Sequence, residues 1–134
     1  MMNSPYERYR QTAVQTSPAQ LLIMTYDGAI RFVKTALEGM EAHDNEKTNL
    51  FLGKAQTIIA ELITTLDRSY EISKTLYSLY EYMNYLLIQA NIKKTKEPAE
   101  EALQYLRDLK ETWVQASRLA AANPTPSVGT AVNV

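Results

Sequence analysis

The spacing of apolar side chains constrains the fold of this chain more than any other feature. In four segments of the 134-residue sequence, apolar residues recur every three or four positions, which is the period of one face of an α-helix. Runs that alternate apolar and polar residues are absent from the sequence, so nothing predicts β-strands. Short connections between such helices favour antiparallel neighbours. The sequence therefore predicts an all-α, antiparallel up-down four-helix bundle.

The first two helices have clear boundary signals. Ser17 caps helix one and Pro18 opens it, and the polar stretch 41–47 ends it near 42–45. Helix two ends around 67–70, and its link to helix three is short. The predicted buried stripe of helix one is Leu22, Tyr26, Ala29, Val33, Leu37 and Met40, and that of helix two is Leu52, Ala55, Ile59, Leu62 and Leu66.

Prolines mark the boundaries of the last two helices. Helix three runs out over 91–96, Pro98 suits the first turn of helix four, and helix four stops before Asn123-Pro124, because a residue that precedes proline avoids the α region. The stripe of helix three is Ile72, Leu76, Leu79, Met83, Leu86 and Ala90, and that of helix four is Ala102, Leu106, Leu109, Trp113, Ala116 and Ala120.

Length and composition predict one domain over residues 1–122, with a flexible tail over 123–134. Residues 1–16 form either a segment that lays Tyr6 and Tyr9 on the bundle or an unattached terminus. The formal charge is −1, from 14 basic and 15 acidic residues spread without runs. The sequence therefore shows no basic patch of the kind that binds nucleic acid. The sequence lacks cysteine and shows no leader or membrane span, so we expect a cytoplasmic protein.

Residues suited to catalysis or metal binding do not cluster in the sequence. The single histidine, His43, lies in a predicted polar loop, and the residue three before it is Met40 rather than a metal-binding glutamate. Asp27 and Glu61 lie near apolar stripes without an inward carboxylate neighbour, and Asp27 is interpreted as a capping or surface hydrogen-bonding residue. The sequence predicts neither an enzyme nor a cofactor or metal.

Apolar residues beyond the four stripes indicate binding. Helix three is apolar or aromatic nearly all round, so it is covered by a partner or lies centrally in an irregular bundle. Helix two is widened by Ile58, and helix one has a second patch around Gly28, where another backbone could approach closely. The surplus residues are Leu21, Met24, Ile58, Tyr77, Tyr82, Tyr85 and Ile88.

Several motifs are similar to those of FliS, the flagellin-specific export chaperone family of bacterial flagella. They are Tyr6-x-x-Tyr9, Val14-Gln-Thr-Ser-Pro18, Leu22-Ile-Met-Thr-Tyr-Asp-Gly-Ala-Ile30, Lys54-Ala-Gln-Thr-Ile-Ile-Ala-Glu-Leu62 with Leu66-Asp67, Leu79-Tyr-Glu-Tyr-Met83, Ala90-Asn91, and Leu106-Arg107 with Trp113.

The resemblance implies a chaperone that binds the C-terminal helical segment of flagellin, prevents premature polymerisation and presents it to the export gate. It implies a client groove beside helices two and three, and an N-terminal segment that covers apolar surface without client. The motif positions that it marks as client-side candidates are Tyr6, Tyr9, Leu79, Tyr80 and Tyr82. We expect a monomer or weak dimer when free, and the competing interpretation is a self-associating helical scaffold.

Overall fold

The computed structural model describes residues 18–122, which form four helices. They are α1 (Pro18–Glu41), α2 (Asn45–Thr64), α3 (Ile72–Lys93) and α4 (Lys96–Ala122). Helix α1 packs between α2 and α4, and α3 closes the ring by packing on the same two helices. The predicted all-α four-helix bundle is confirmed for the described residues.

Contacts between α1 and α4 show that these two neighbouring helices are antiparallel. Tyr26 of α1 meets Trp113 of α4, whereas the next residue, Asp27, pairs with Lys110, three positions earlier in α4. The carboxylate of Asp27 lies 2.6 Å from the ammonium of Lys110 and both side chains are partly exposed. Asp27 is therefore a surface partner of a lysine, in agreement with its predicted role.

The turn between α1 and α2 is tight because Gly39 has no side chain. A Cβ atom at this position would lie 2.8 Å from Thr48 Oγ1 and 3.0 Å from the Thr48 backbone nitrogen. Thr48 is buried and donates to the carbonyl of Asp44, and the Asp44 side chain accepts from the Lys47 amide as the N-cap of α2. His43 takes a left-handed conformation within this predicted polar loop, with φ of 54°.

Helix α2 ends at Thr64, three or more residues before the predicted end. The Thr65 hydroxyl donates back to the Glu61 carbonyl at 3.0 Å, and Asp67 accepts from both the amide and the hydroxyl of Ser69. These bonds compete with helix continuation, so the predicted short link is a seven-residue connection, 65–71. Leu66 still packs into the core from this connection.

The core confirms the stripe of α2 in full and corrects those of α3 and α4. In α3, Ile72 is 52% exposed and Leu79 is partly buried, whereas Ser73, Tyr80 and Leu87 are buried. The buried face of α3 is therefore rotated by about 40° from the predicted one, at 100° per residue. In α4, the predicted Ala116 is exposed, and the stripe is instead completed by Ala99 and Leu103.

Candidate functional site

A buried polar contact joins three helices near the middle of the bundle. The hydroxyls of Tyr26 in α1 and Tyr80 in α3 are hydrogen bonded to each other, and Trp113 Nε1 of α4 donates to Tyr26 Oη at 3.1 Å. Both tyrosines are fully buried. Burial raises the pKa of both phenols, because it penalises the phenolate form.

This contact corrects one predicted site residue. Tyr80 was expected to face the client, but its side chain is 0% exposed and bonded to Tyr26. Its hydroxyl is tolerated in the core because another buried hydroxyl satisfies it. Tyr80 therefore cannot contact a partner at the surface, and it belongs to the packing of α1, α3 and α4.

The remaining predicted residues of α3 divide between its two flanks. Tyr77 and Ile88 lie toward α2, the side on which the Asn91 amide donates to Asn49 of α2 at 2.7 Å. Tyr82 lies toward α4, where its hydroxyl donates to Glu101 Oε2 at 2.9 Å. Leu79 lies on the same flank by its helical position, and Tyr85 is stacked on Tyr82. The predicted set is therefore not one continuous patch.

The flank toward α2 keeps apolar surface accessible. Ile88 is 37% exposed, and Tyr77 is half-buried with the guanidinium of Arg68 at 4.5 Å from its ring centroid. Across the groove, a Cβ added to Gly53 of α2 would have nothing within 4 Å, so this part of the groove is open. These residues form the α2–α3 groove, which is the position that the resemblance implied for a client.

A second surface runs between α1 and α2 and contains the other predicted residues. Leu21 and Met24 are exposed, at 41% and 53%, and Ile58 is partly buried against the core. A Cβ on Gly28 would lie 3.4 Å from Ile58 Cδ1. Within residues 18–122, a side chain of α2 is therefore what approaches Gly28, and the expected close approach of another backbone is not found there.

At the start of α1, this second surface ends in an apolar cleft. It is lined by Pro18, Leu21, Leu22, Thr25, Glu61, Leu62 and Thr65. The predicted site residues Tyr6 and Tyr9 lie outside the described part of the chain, as does the predicted Ser17 cap.

The described part of the chain has neither a metal-binding cluster nor a membrane-spanning helix. Between Pro18 and Ala122, His, Asp and Glu side chains do not group in threes that could hold a metal ion. None of the four helices has the length and apolarity required to cross a membrane. His43 is exposed in the α1–α2 turn.

The fold and the surface define an antiparallel helical bundle that presents aromatic and aliphatic side chains on several flanks. The model of the family described as Flagellar protein FliS matches residues 1–120. The chain belongs to the FliS family of flagellar secretion chaperones.

Curated relatives named "Flagellar secretion chaperone FliS" match along most of the chain. The protein from Bacillus subtilis (strain 168) is 39% identical over 116 residues, which cover 86% of this chain and 87% of the relative. The protein from Salmonella typhimurium is 33% identical over 126 residues, covering 88% and 93%. The protein from Campylobacter jejuni is 32% identical over 114 residues, covering 83% and 89%. These relatives have the names of chaperones and not of enzymes.

Proposed function

We propose that this chain is a cytoplasmic chaperone that binds the C-terminal helical segment of flagellin. It holds that segment apart from other flagellin molecules, so that polymerisation does not precede export, and delivers it to the flagellar type III export apparatus, including its export gate. Membership of the FliS family supports the assignment. The observation that carries it is the accessible apolar surface along both flanks of α3.

The α2–α3 groove suits an amphipathic helix. Its α3 wall presents Tyr77 and Ile88, and its α2 wall is open at Gly53. A client helix with apolar residues at i, i+3, i+4 and i+7 would bury these side chains, at about 25 cal/mol per Å² of apolar surface. Ordering of the client costs free energy that offsets part of this gain. The net binding free energy is therefore small enough for the client to dissociate without nucleotide.

Residues 1–16 act in this proposal as an internal competitor of the client. They are joined through Ser17 to Pro18, which lines the apolar cleft between α1 and α2 together with Leu21 and Leu62. A segment that covers client surface lowers the apparent affinity by the fraction of time for which it is bound. Deletion of residues 1–16 is therefore expected to tighten client binding, which isothermal titration calorimetry would measure.

The proposed function is tested by light scattering on the free protein and after addition of the flagellin C-terminal segment. We expect the mass of the free protein to increase by that of one segment. A stable dimer that does not respond to the segment would contradict the proposal and support a self-associating scaffold.

Substitution in the α2–α3 groove tests its position. Ile88→Ser removes an exposed apolar contact and is expected to weaken binding of the segment about tenfold, which corresponds to about 1.4 kcal/mol. Leu119→Ser is the matched control, because Leu119 is 66% exposed near the end of α4. If both variants bind like the wild type, the client does not use this groove.

A further inference from the structure

Apart from Tyr70 in the α2–α3 connection and Trp113, the accessible aromatic rings of the described residues fall into three groups, and two of these already have a cation. Lys54 Nζ lies 5.5 Å from the ring of Phe32 and 5.4 Å from that of Phe51, and the guanidinium of Arg31 lies 5.8 Å from Phe32. Arg68 lies over Tyr77 at 4.5 Å. Ring faces attract cations electrostatically within about 6 Å. In these two groups, the chain's own lysine and arginine side chains supply the cation.

The third group, here called the tyrosine box, consists of Tyr82, Tyr85, Tyr105 and Glu101 at the α3–α4 flank. Tyr82 stacks on Tyr85 with ring centroids 6.3 Å apart, and Tyr105 meets Tyr82 edge-on at 6.1 Å. Tyr82 and Tyr105 both donate to Glu101 Oε2, at 2.9 and 3.3 Å. Between Pro18 and Ala122, no lysine or arginine lies over these rings or pairs with Glu101.

The tyrosine box is accessible and held in place before any partner arrives. Tyr82 and Tyr85 are 41% and 54% exposed. Ring contacts and the shared carboxylate fix the side chains, so little rotamer freedom remains to be lost on binding. The hydrogen bond to Glu101 raises the pKa of Tyr82, which keeps its hydroxyl a donor to that carboxylate.

The charges around the tyrosine box favour a positive ligand. Helical positions place Glu97 and Asp108 of α4 on the same outer face as Glu101, and both are exposed. Two lysines share this side of α3 by helical position. Lys74 is paired with Glu71 at 3.6 Å, and Lys93 is exposed about three turns beyond Tyr82. Exposed rings combined with an excess of carboxylates match a guanidinium, which can stack on a ring and donate to a carboxylate at once.

We propose that the tyrosine box binds an arginine or lysine side chain of the client segment. This inference rests on the proposed function. The box and the α2–α3 groove lie on opposite flanks of α3, so a client that uses both crosses the outer face of that helix, where Glu81 and Ile92 are exposed. The cation then fixes the position of the segment on the bundle, and the apolar anchors supply most of the affinity.

Calorimetric titration of the full chain with the flagellin C-terminal segment tests this inference. We expect Glu101→Gln and Tyr85→Leu each to weaken binding about three- to tenfold. Glu100→Gln is the matched control, because it removes the same charge one position earlier on an exposed residue, and it is expected to stay within about twofold.

A scan of the segment identifies the cation. Each of its basic residues is replaced by glutamine in turn, and binding is measured against the wild type and against Glu101→Gln. We expect one position whose replacement weakens binding to the wild type but has little further effect on Glu101→Gln.

The two proposals fail in different ways. If the segment binds but Glu101→Gln and Glu100→Gln weaken it equally, or no basic position couples to Glu101, the tyrosine box is overturned while the proposed function stands. If the segment does not bind the wild type at all, both proposals fail.

Discussion

Trp113 Nε1 donates to Tyr26 Oη at 3.1 Å across 87 residues of sequence, and Tyr26 is in turn bonded to Tyr80. Helices α1, α3 and α4 are thus linked by one polar chain inside the core. A buried group that loses its partner costs about 1–3 kcal/mol, more than an average hydrogen bond contributes. The stability of the bundle is therefore expected to be sensitive to single hydroxyl deletions at this point.

Tyr26→Phe is expected to lower the free energy of unfolding by about 1–3 kcal/mol, because it removes the acceptor of the Trp113 N–H. Since Tyr26 and Tyr80 share one bond, Tyr26→Phe combined with Tyr80→Phe should cost at least about 0.5 kcal/mol less than the two single changes added together. Urea unfolding followed by far-UV circular dichroism measures all three. Tyr85→Phe, on an exposed tyrosine, is the control; additive costs would contradict the shared bond.

Stability is expected to fall at alkaline pH. Burial raises the pKa of Tyr26 and Tyr80 in the folded protein above the unfolded value of 10.0. As the pH rises above about 10, the unfolded chain therefore releases protons that the folded chain retains. The free energy of unfolding then decreases by up to about 1.4 kcal/mol per pH unit for each tyrosine, and the contribution is fully present below pH 10.

Unfolding measured between pH 8 and pH 11.5 tests this dependence. The variant that combines Tyr26→Phe with Tyr80→Phe should show a shallower decrease than the wild type, since two of the titrating groups are gone. Identical slopes in the two proteins would show that groups other than the two buried tyrosines govern alkaline stability.

Glycine-to-alanine changes at two positions should have opposite signs. At Gly39, a methyl group would collide with the side chain and backbone of Thr48, so Gly39→Ala is expected to destabilise the protein by about 1–3 kcal/mol. At Gly53, the space is open and alanine improves helix propensity, so stabilisation of about 0.5–1 kcal/mol is expected. Thermal melting compares the two; a neutral Gly39→Ala would mean that the α1–α2 turn can widen freely.

Lys94→Gly is expected to stabilise the end of α3 by about 0.5–1 kcal/mol. Lys94 is the C-cap of α3 with φ of 53°, a left-handed conformation that favours glycine over residues with a Cβ. Lys93→Gly is the matched control, because Lys93 lies in the last helical turn and glycine there should cost about 1 kcal/mol. Equal effects of the two changes would contradict the strain at Lys94.

Periodicity predicted the helices well because a buried face needs only local spacing. The α2 stripe from Leu52 to Leu66 was confirmed residue by residue. On α3 the same rule failed, since Leu79 and Tyr80 are both apolar enough to face inward and the choice depends on a hydroxyl 54 residues away, that of Tyr26. Spacing within one helix has no information on such a partner.

The sequence predicted only part of the candidate surface, because spacing within one helix does not show which neighbouring helix a residue faces. An outward surplus on α3 was visible in the sequence, and Tyr82, Tyr85 and Ile88 are indeed exposed. Their division between flanks, and the place of Tyr105 and Glu101 beside Tyr82, depend on the rotation of two helices about their axes. Neither Tyr105 nor Glu101 had a signal in the sequence that separated it from an ordinary residue of a solvated helix face.

The indole bonded to Tyr26 belongs to the only tryptophan of the chain. Its fluorescence is therefore a built-in optical reporter of the bundle interior, because the emission of an indole responds to the polarity around it and to the loss of its hydrogen bond. The tyrosine box and the α2–α3 groove contain no indole. With excitation at a long wavelength that selects tryptophan, the emission of Trp113 reports whether the bundle stays intact. It can be recorded while a tryptophan-free client is titrated, and neither protein needs a fluorescent label.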